Sequence, residues 1–178
     1  MRVCVYHFQL TMANADDDLK EAYFLRFNLL VTKFGAECLR KVFDREIPPG
    51  DLQQQLQNNA SKINQLNKKS VINKSQQRLL RLPTTLSTHF DITLLVILLR
   101  NITNLRAPRN PPKLWEEIDN SLITGFDEVS DIIRIRNLRN EVSVCNSNDK
   151  ALLFDLPRHV LVLCVRLNTK LENVQQHV

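Results

Sequence analysis

The chain has 178 residues, 24 Lys/Arg against 19 Asp/Glu, a net charge of +5 and a hydrophobic share of 43%, which suits one domain with a real core. It holds only three glycines; tight hairpins, phosphate-cradling loops and dinucleotide-binding turns all depend on glycine, so those architectures are disfavoured. The four cysteines, Cys4, Cys38, Cys145 and Cys164, form no CxxC pair and no Cys/His set with metal-ligand spacing, so no metal and no cofactor is expected, and the thiols read as reduced ones of a cytoplasmic protein.

Residues 1–14 show no helical period and read as a disordered leader, with no sustained apolar run that would serve as a secretory signal. Helix one then begins at Asp16, Asp17 and Asp18, whose charges favour the positive end of a helix dipole. Leu19, Tyr23, Phe27, Leu30, Phe34, Cys38 and Val42 recur every three or four residues and predict one apolar stripe, widened by Phe24 and Leu29. Pro48-Pro49-Gly50 ends that helix, and Asp51 is placed to cap the next. Leu52, Leu56, Ala60, Ile63 and Leu66 make a narrower stripe among Gln, Asn and Lys, which predicts a surface helix packed antiparallel to the first. A short helix over residues 74–82 stops at Pro83.

Residues 84–90 read as a loop. Asp91 caps the next helix, and Phe90 can staple onto Leu95. Ile92 and residues 94–99 leave no wet face, so this helix is predicted to be the centre of the fold. A buried strand is the rival reading of such a run; the cap, the continuation through Leu105 and the lack of other strand candidates favour helix. Residues 94–99 are also the longest apolar run, far short of the roughly 20 residues a membrane span needs. Three prolines in residues 107–112 make an extended link to Trp115, predicted to anchor a short helix over residues 114–118. After a break at Gly125, Asp127 caps an amphipathic helix with Val129, Ile132, Ile135, Leu138, Val142 and Cys145 on its apolar side. Pro157 interrupts the last part of the chain, and residues 160–171 are a candidate final helix.

Residues 60–115 hold ten Lys/Arg and one acid, Asp91. A basic centre of this kind can attract nucleic acid or an acidic partner, or can be a solvated face. No phosphate loop, nucleophile elbow, HExxH or EF-hand signature occurs. The elements predict an all-α, up-and-down bundle of four to five helices.

Four stretches taken together are more specific. They are Val42-Phe-Asp-Arg-Glu-Ile-Pro-Pro, Val71-Ile-Asn-Lys-Ser-Gln, Phe90-Asp-Ile-Thr-Leu-Leu-Val-Ile-Leu-Leu-Arg-Asn-Ile and Asp131-Ile-Ile-Arg-Ile-Arg-Asn-Leu-Arg-Asn-Glu-Val. In this order, with the Pro-rich link to Trp115, the chain resembles the HEPN domain of the DAZ-interacting zinc-finger ubiquitin-ligase type over about residues 15–146, leaving residues 147–178 as a C-terminal extension. The resemblance implies a helical bundle, often dimeric through its last helices. It also implies a ribonuclease motif: an Arg followed by a polar residue, with four to six residues between the Arg and a His that exchanges protons while the Arg stabilises phosphate charge.

This chain supplies Arg139 and Asn140 for that motif, but the allowed positions for the His hold Val144, Cys145 and Asn146. Val and Asn cannot exchange a proton near neutral pH, and Cys145 would need a lowered pKa to do so. The remaining histidines, His7, His89, His159 and His177, lie far from the motif in sequence. The expectation is a pseudoenzyme: a non-enzymatic interaction or dimerisation module, a stand-alone or truncated copy of a domain found in larger signalling or immune-type proteins. Its partner is a protein or a second copy, with no membrane and no metal. The alternative is an RNA binder using Arg134, Arg136, Arg139 and Asn140 or, third, a metal-independent endoribonuclease with Cys145 or a distant His. Arg139, at the edge of the apolar stripe, can instead serve structure by pairing with Asp131 or Glu128, while Arg134 and Arg136 read as solvated.

Overall fold

A computed structural model describes residues 17–106, 115, 122–144, 162 and 165–166. The expectations for the leader, the short helix around Trp115, Cys145 and most of the C-terminal extension fall outside these residues. Among the described residues the fold is all-α, with no strand. The helices are α1 (Asp17–Leu29), α2 (Ala36–Glu46), α3 (Leu52–Asn58), α4 (Ala60–Lys68), α5 (Lys74–Arg81), α6 (Ile92–Ile102) and α7 (Glu128–Val144). A π-turn (Leu30–Gly35) joins α1 to α2, and a 3₁₀ turn (Ser87–His89) precedes α6.

The predicted first helix is therefore continuous in path but not in phase. A π-turn takes more residues per revolution than an α-helix, so it rotates the helix beyond it. Phe34, expected on the stripe, is 51% exposed, while Val31 and Gly35 are buried with Phe27, Cys38, Leu39, Val42 and Phe43. Gly35 allows a close crossing: a Cβ there would stand 3.2 Å from Ile135 Cγ2 and 3.6 Å from Ile92 Cδ1. At this point the first long helix touches both α6 and α7.

Helix α6 lies at the centre, as its sequence predicts. Leu94, Leu95, Leu98 and Leu99 have no solvent exposure, and α2 and α7 pack on it. Removing one such leucine to alanine costs about 2–5 kcal/mol in a typical core. Phe43 of α2 and Phe90 meet edge to face, with centroids 5.8 Å apart and ring planes at 78°. The helix stops at Ile102, short of the expected Leu105, where the Thr103 hydroxyl turns back to donate to the Leu99 carbonyl (2.5 Å) and accepts from Leu105 N (3.3 Å).

The polar second helix is broken at Asn59. Leu52, Leu56 and Ile63 are buried, but Ala60, expected on their stripe, is exposed. Asp51 holds the N-cap position without a side-chain cap bond, contrary to expectation. At the far end, Ser70 takes a left-handed conformation (φ 57°), with Ser70 N donating to Asn67 O and Val71 N to Leu66 O. These two bonds form a Schellman cap.

The starts of α5 and α6 are tied together. Asn73 Oδ1 accepts from Gln76 N (2.9 Å), and Gln76 Oε1 accepts from Asn73 N (3.1 Å), a reciprocal capping box. The Gln76 amide then donates to both Asp91 carboxylate oxygens (3.2 Å each), and Asp91 accepts from Leu94 N (2.7 Å) as the predicted cap of α6. This is what the Val71-Ile-Asn-Lys-Ser-Gln and Phe90-Asp segments do together.

Candidate functional site on helix α7

The stripe on α7 is wider than its spacing predicts. Val129, Ile132, Ile135, Leu138 and Val142 are buried as expected, and so are Ser130, Asp131 and Ile133. The N-terminal half of α7 is thus enclosed on nearly all sides, and the helix is amphipathic only further along. Asp127 caps it as expected, accepting from Ser130 N (3.0 Å) and Ser130 Oγ (2.5 Å). Gly125 leaves room for this cap, since a Cβ there would stand 2.5 Å from Asp127 Oδ2 and 2.7 Å from Ser130 Oγ.

Enclosure settles the fate of Arg134. Its side chain folds back toward the chain entering α7, as long side chains on helices do. Nη2 donates to the carbonyls of Ile123 (2.6 Å) and Gly125 (2.7 Å), and Nη1 pairs with Asp131 Oδ1 (3.0 Å). Only 16% of the side chain is exposed, so Arg134 is not solvated; burial would be costly without these partners. Arg166 reaches the same Asp131 oxygen (2.6 Å). Both guanidinium groups lie on the ring of Phe126, at 5.9 and 5.3 Å from its centroid. Asp131 itself is fully buried and holds these two cations over the start of α7.

Arg136 is not simply solvated either. Nη1 donates to the Trp115 carbonyl (3.2 Å), and Nε and Nη2 donate to Asn137 Oδ1 (3.3 and 3.1 Å). Arg100 from the end of α6 donates to the same Trp115 carbonyl (3.0 Å). Trp115 packs against the core, so its backbone oxygen joins α6 to α7.

Arg139 differs from both. Its Nη1 donates to Asn140 Oδ1 (3.1 Å), its side chain is half-buried, and it has no carboxylate partner among the described residues. The two acids considered for it are taken by other arginines: Asp131 by Arg134 and Arg166, Glu128 by Arg45. That last pair is bidentate, with Arg45 Nη1 and Nη2 each 2.8 Å from a Glu128 oxygen while Glu46 Oε1 accepts from Nε and Nη2. The Glu128 hydrogen bond raises the Arg45 pKa above its usual value, and burial opposes it. The fork joins the C-terminus of α2 to the N-terminus of α7, each charge matching its helix dipole.

The four candidates therefore separate. Arg134 and Arg136 face inward to backbone carbonyls, and Arg139 and Asn140 form a solvent-facing pair further along the helix. Val144 ends α7, while Cys145 and Asn146 lie outside the described residues. His89, in the 3₁₀ turn, is exposed and makes no hydrogen bond to Arg139. No group of three or more His, Cys, Asp or Glu among the described residues could hold a metal ion. No helix among them is long and apolar enough to cross a membrane.

The Arg45–Glu128, Arg166–Asp131 and Gln76–Asp91 links were not read from the sequence. Only the last had a local signal, in the three-residue spacing of Asn73 and Gln76 before an apolar pair.

No curated protein and no solved structure matches the chain. A family model described as DZIP3/hRUL138-like HEPN matches residues 49–153, more than half of the chain and a span that takes in α3 to α7, the Asp91 cap and Arg139-Asn140. With the central apolar helix, the Gln76–Asp91 tie and the arginine-bearing α7 in place, the chain belongs to the DZIP3/hRUL138-like HEPN family.

Proposed function

We propose that the chain is a non-enzymatic interaction module that associates with a second copy or a protein partner through the C-terminal part of α7, around Arg139 and Asn140. The observation that carries this reading is the contrast within one helix. Arg134 and Arg136 are spent on internal carbonyls, whereas among the described residues Arg139 has only its neighbour's amide. A half-buried guanidinium with an apolar stem and no carboxylate is suited to a partner's carboxylate or carbonyl groups. It is ill suited to RNA cleavage, because Val144, Cys145 and Asn146 stand where the motif requires a histidine.

Sedimentation velocity across a concentration series tests it. The expected result is reversible self-association, or binding to a partner, that weakens in Arg139→Glu while thermal unfolding stays unchanged. A monomer at all concentrations that binds no partner through this face would refute it. RNA binding is the second reading, favoured by the same guanidinium, which has no carboxylate partner among the described residues; it requires filter retention of single-stranded RNA that falls steeply with salt and falls further in Arg139→Ala. Cleaved RNA that Arg139→Ala leaves intact would instead establish the ribonuclease reading.

A further inference from the structure

A groove of about 370 Å³ runs between the α3–α4 wall and α5, with Leu56, Ile63 and Leu80 on its floor and Gln57, Asn64 and Arg81 along its sides. Its volume lies within the range of ligand-binding clefts. Two further lining residues carry the telling feature. Gln53 Oε1 and Asn67 Oδ1 are buried and accept no hydrogen bond. A buried polar atom without a partner costs about 1–3 kcal/mol, so two in one groove signal a donor-bearing occupant. Terminal amide torsions are soft, so each side chain is free to reorient its oxygen toward a donor in the groove.

The spacing and the charge narrow the occupant. Gln53 opens α3 and Asn67 nearly closes α4; at 1.5 Å per helical residue they stand at most about 20 Å apart along the wall. An extended strand covers that distance in about six residues and presents free backbone N–H groups along its length, whereas a helix frees them only at its first turn. Residues 52–90 contain six Lys/Arg and no Asp/Glu. Of these, Lys68, Lys69, Lys74, Arg78 and Arg81 make no ion pair among the described residues. Lys74 and Arg78 lie on α5 one turn from Gln77 and Arg81, which line the groove.

We infer that this groove binds an extended, acidic segment of a partner protein: alternate apolar side chains on the Leu56–Ile63–Leu80 floor, carboxylates toward the basic rim, and backbone N–H groups on Gln53 and Asn67. This surface is separate from the Arg139–Asn140 face. Variants of one leave the other intact, so failure of either reading is distinguishable.

The test uses the 178-residue protein with methyl-labelled Leu and Ile, titrated with an octapeptide of alternating Leu and Glu. A peptide of the same composition in two blocks and an octauridylate serve as comparators. The alternating peptide is expected to shift the Leu56, Ile63 and Leu80 methyls and to bind more weakly as salt rises. Arg81→Glu should weaken it about tenfold. Ala60→Trp, which fills the groove mouth from an exposed position, should abolish it, and Arg139→Glu should leave it unchanged; melting curves of all three should match the parent. Absence of methyl shifts at millimolar peptide, equal binding of the block peptide, or octauridylate shifting these methyls where the peptide does not would each overturn the inference.

Discussion

Replacing Gln76 by Glu is the sharpest probe of what holds α5 to α6. The amide of this side chain, only 4% exposed, donates to both oxygens of Asp91 at 3.2 Å, while its own oxygen accepts from Asn73 N. Gln76→Glu keeps the shape and the bond from Asn73 but deletes the donor and places a second carboxylate against the first. Two unit charges about 4 Å apart repel by about 4 kcal/mol at an effective dielectric near 20. Loss of the charge-assisted hydrogen bonds adds about 1.5–3 kcal/mol, and proton uptake by the new carboxyl limits the total. A net loss of about 3–5 kcal/mol at neutral pH is a large part of a domain's 5–15 kcal/mol and lowers Tm by about 10–15 °C at this size. The introduced carboxyl has a higher pKa folded than unfolded, so the folded state binds more protons and the variant regains stability as pH falls. Circular dichroism melts at pH 7.5 and pH 5 should show a large deficit that narrows in acid. A variant matching the parent at both pH values, or a deficit that grows in acid, would refute the Gln76–Asp91 contact.

Three other perturbations have defined outcomes. Ser70→Gly relieves a left-handed non-glycine residue and should stabilise by about 1 kcal/mol in urea denaturation; a destabilised variant would contradict the cap geometry. A double-mutant cycle of Arg45→Ala and Glu128→Ala should give a coupling of about 1.5 kcal/mol, since the pair is bidentate and mostly sheltered; strict additivity would mean that the fork does not form. Arg134→Met should cost about 3 kcal/mol by leaving two carbonyls and Asp131 short of a donor, whereas Arg139→Ala should change stability by less than about 0.5 kcal/mol; equal losses would erase the distinction between the two arginines.

Much of the fold was legible because it rests on local chemistry. Residues 94–99 can satisfy their hydrophobicity only at the centre of a helical domain, and Asp91 and Asp127 cap because a carboxylate just before an apolar run has free N–H groups within reach. The π-turn escaped because an i→i+5 turn leaves no mark in apolar spacing. Phe34 and Gly35 are adjacent, and the stripe could have passed through either. What decides is the crossing with Ile92 and Ile135, more than fifty residues away in sequence. The short cap at Asp51 fails for a related reason: residue type permits the bond, but the local backbone does not place the side chain for it.

The arginines of α7 show the same limit at the candidate site. Spacing along the helix puts Arg139 at the edge of the apolar stripe and makes it look like the structural residue, with Arg134 and Arg136 as solvent-facing cations. The reverse holds because three partners come from outside the helix: the chain entering α7 supplies the carbonyls of Ile123 and Gly125, α2 supplies Arg45 to occupy Glu128, and Arg166 shares Asp131. Both acids that spacing offers to Arg139 are already neutralised. Among the described residues its guanidinium keeps the Asn140 oxygen alone, so its charge is less committed there than those of Arg134 and Arg136.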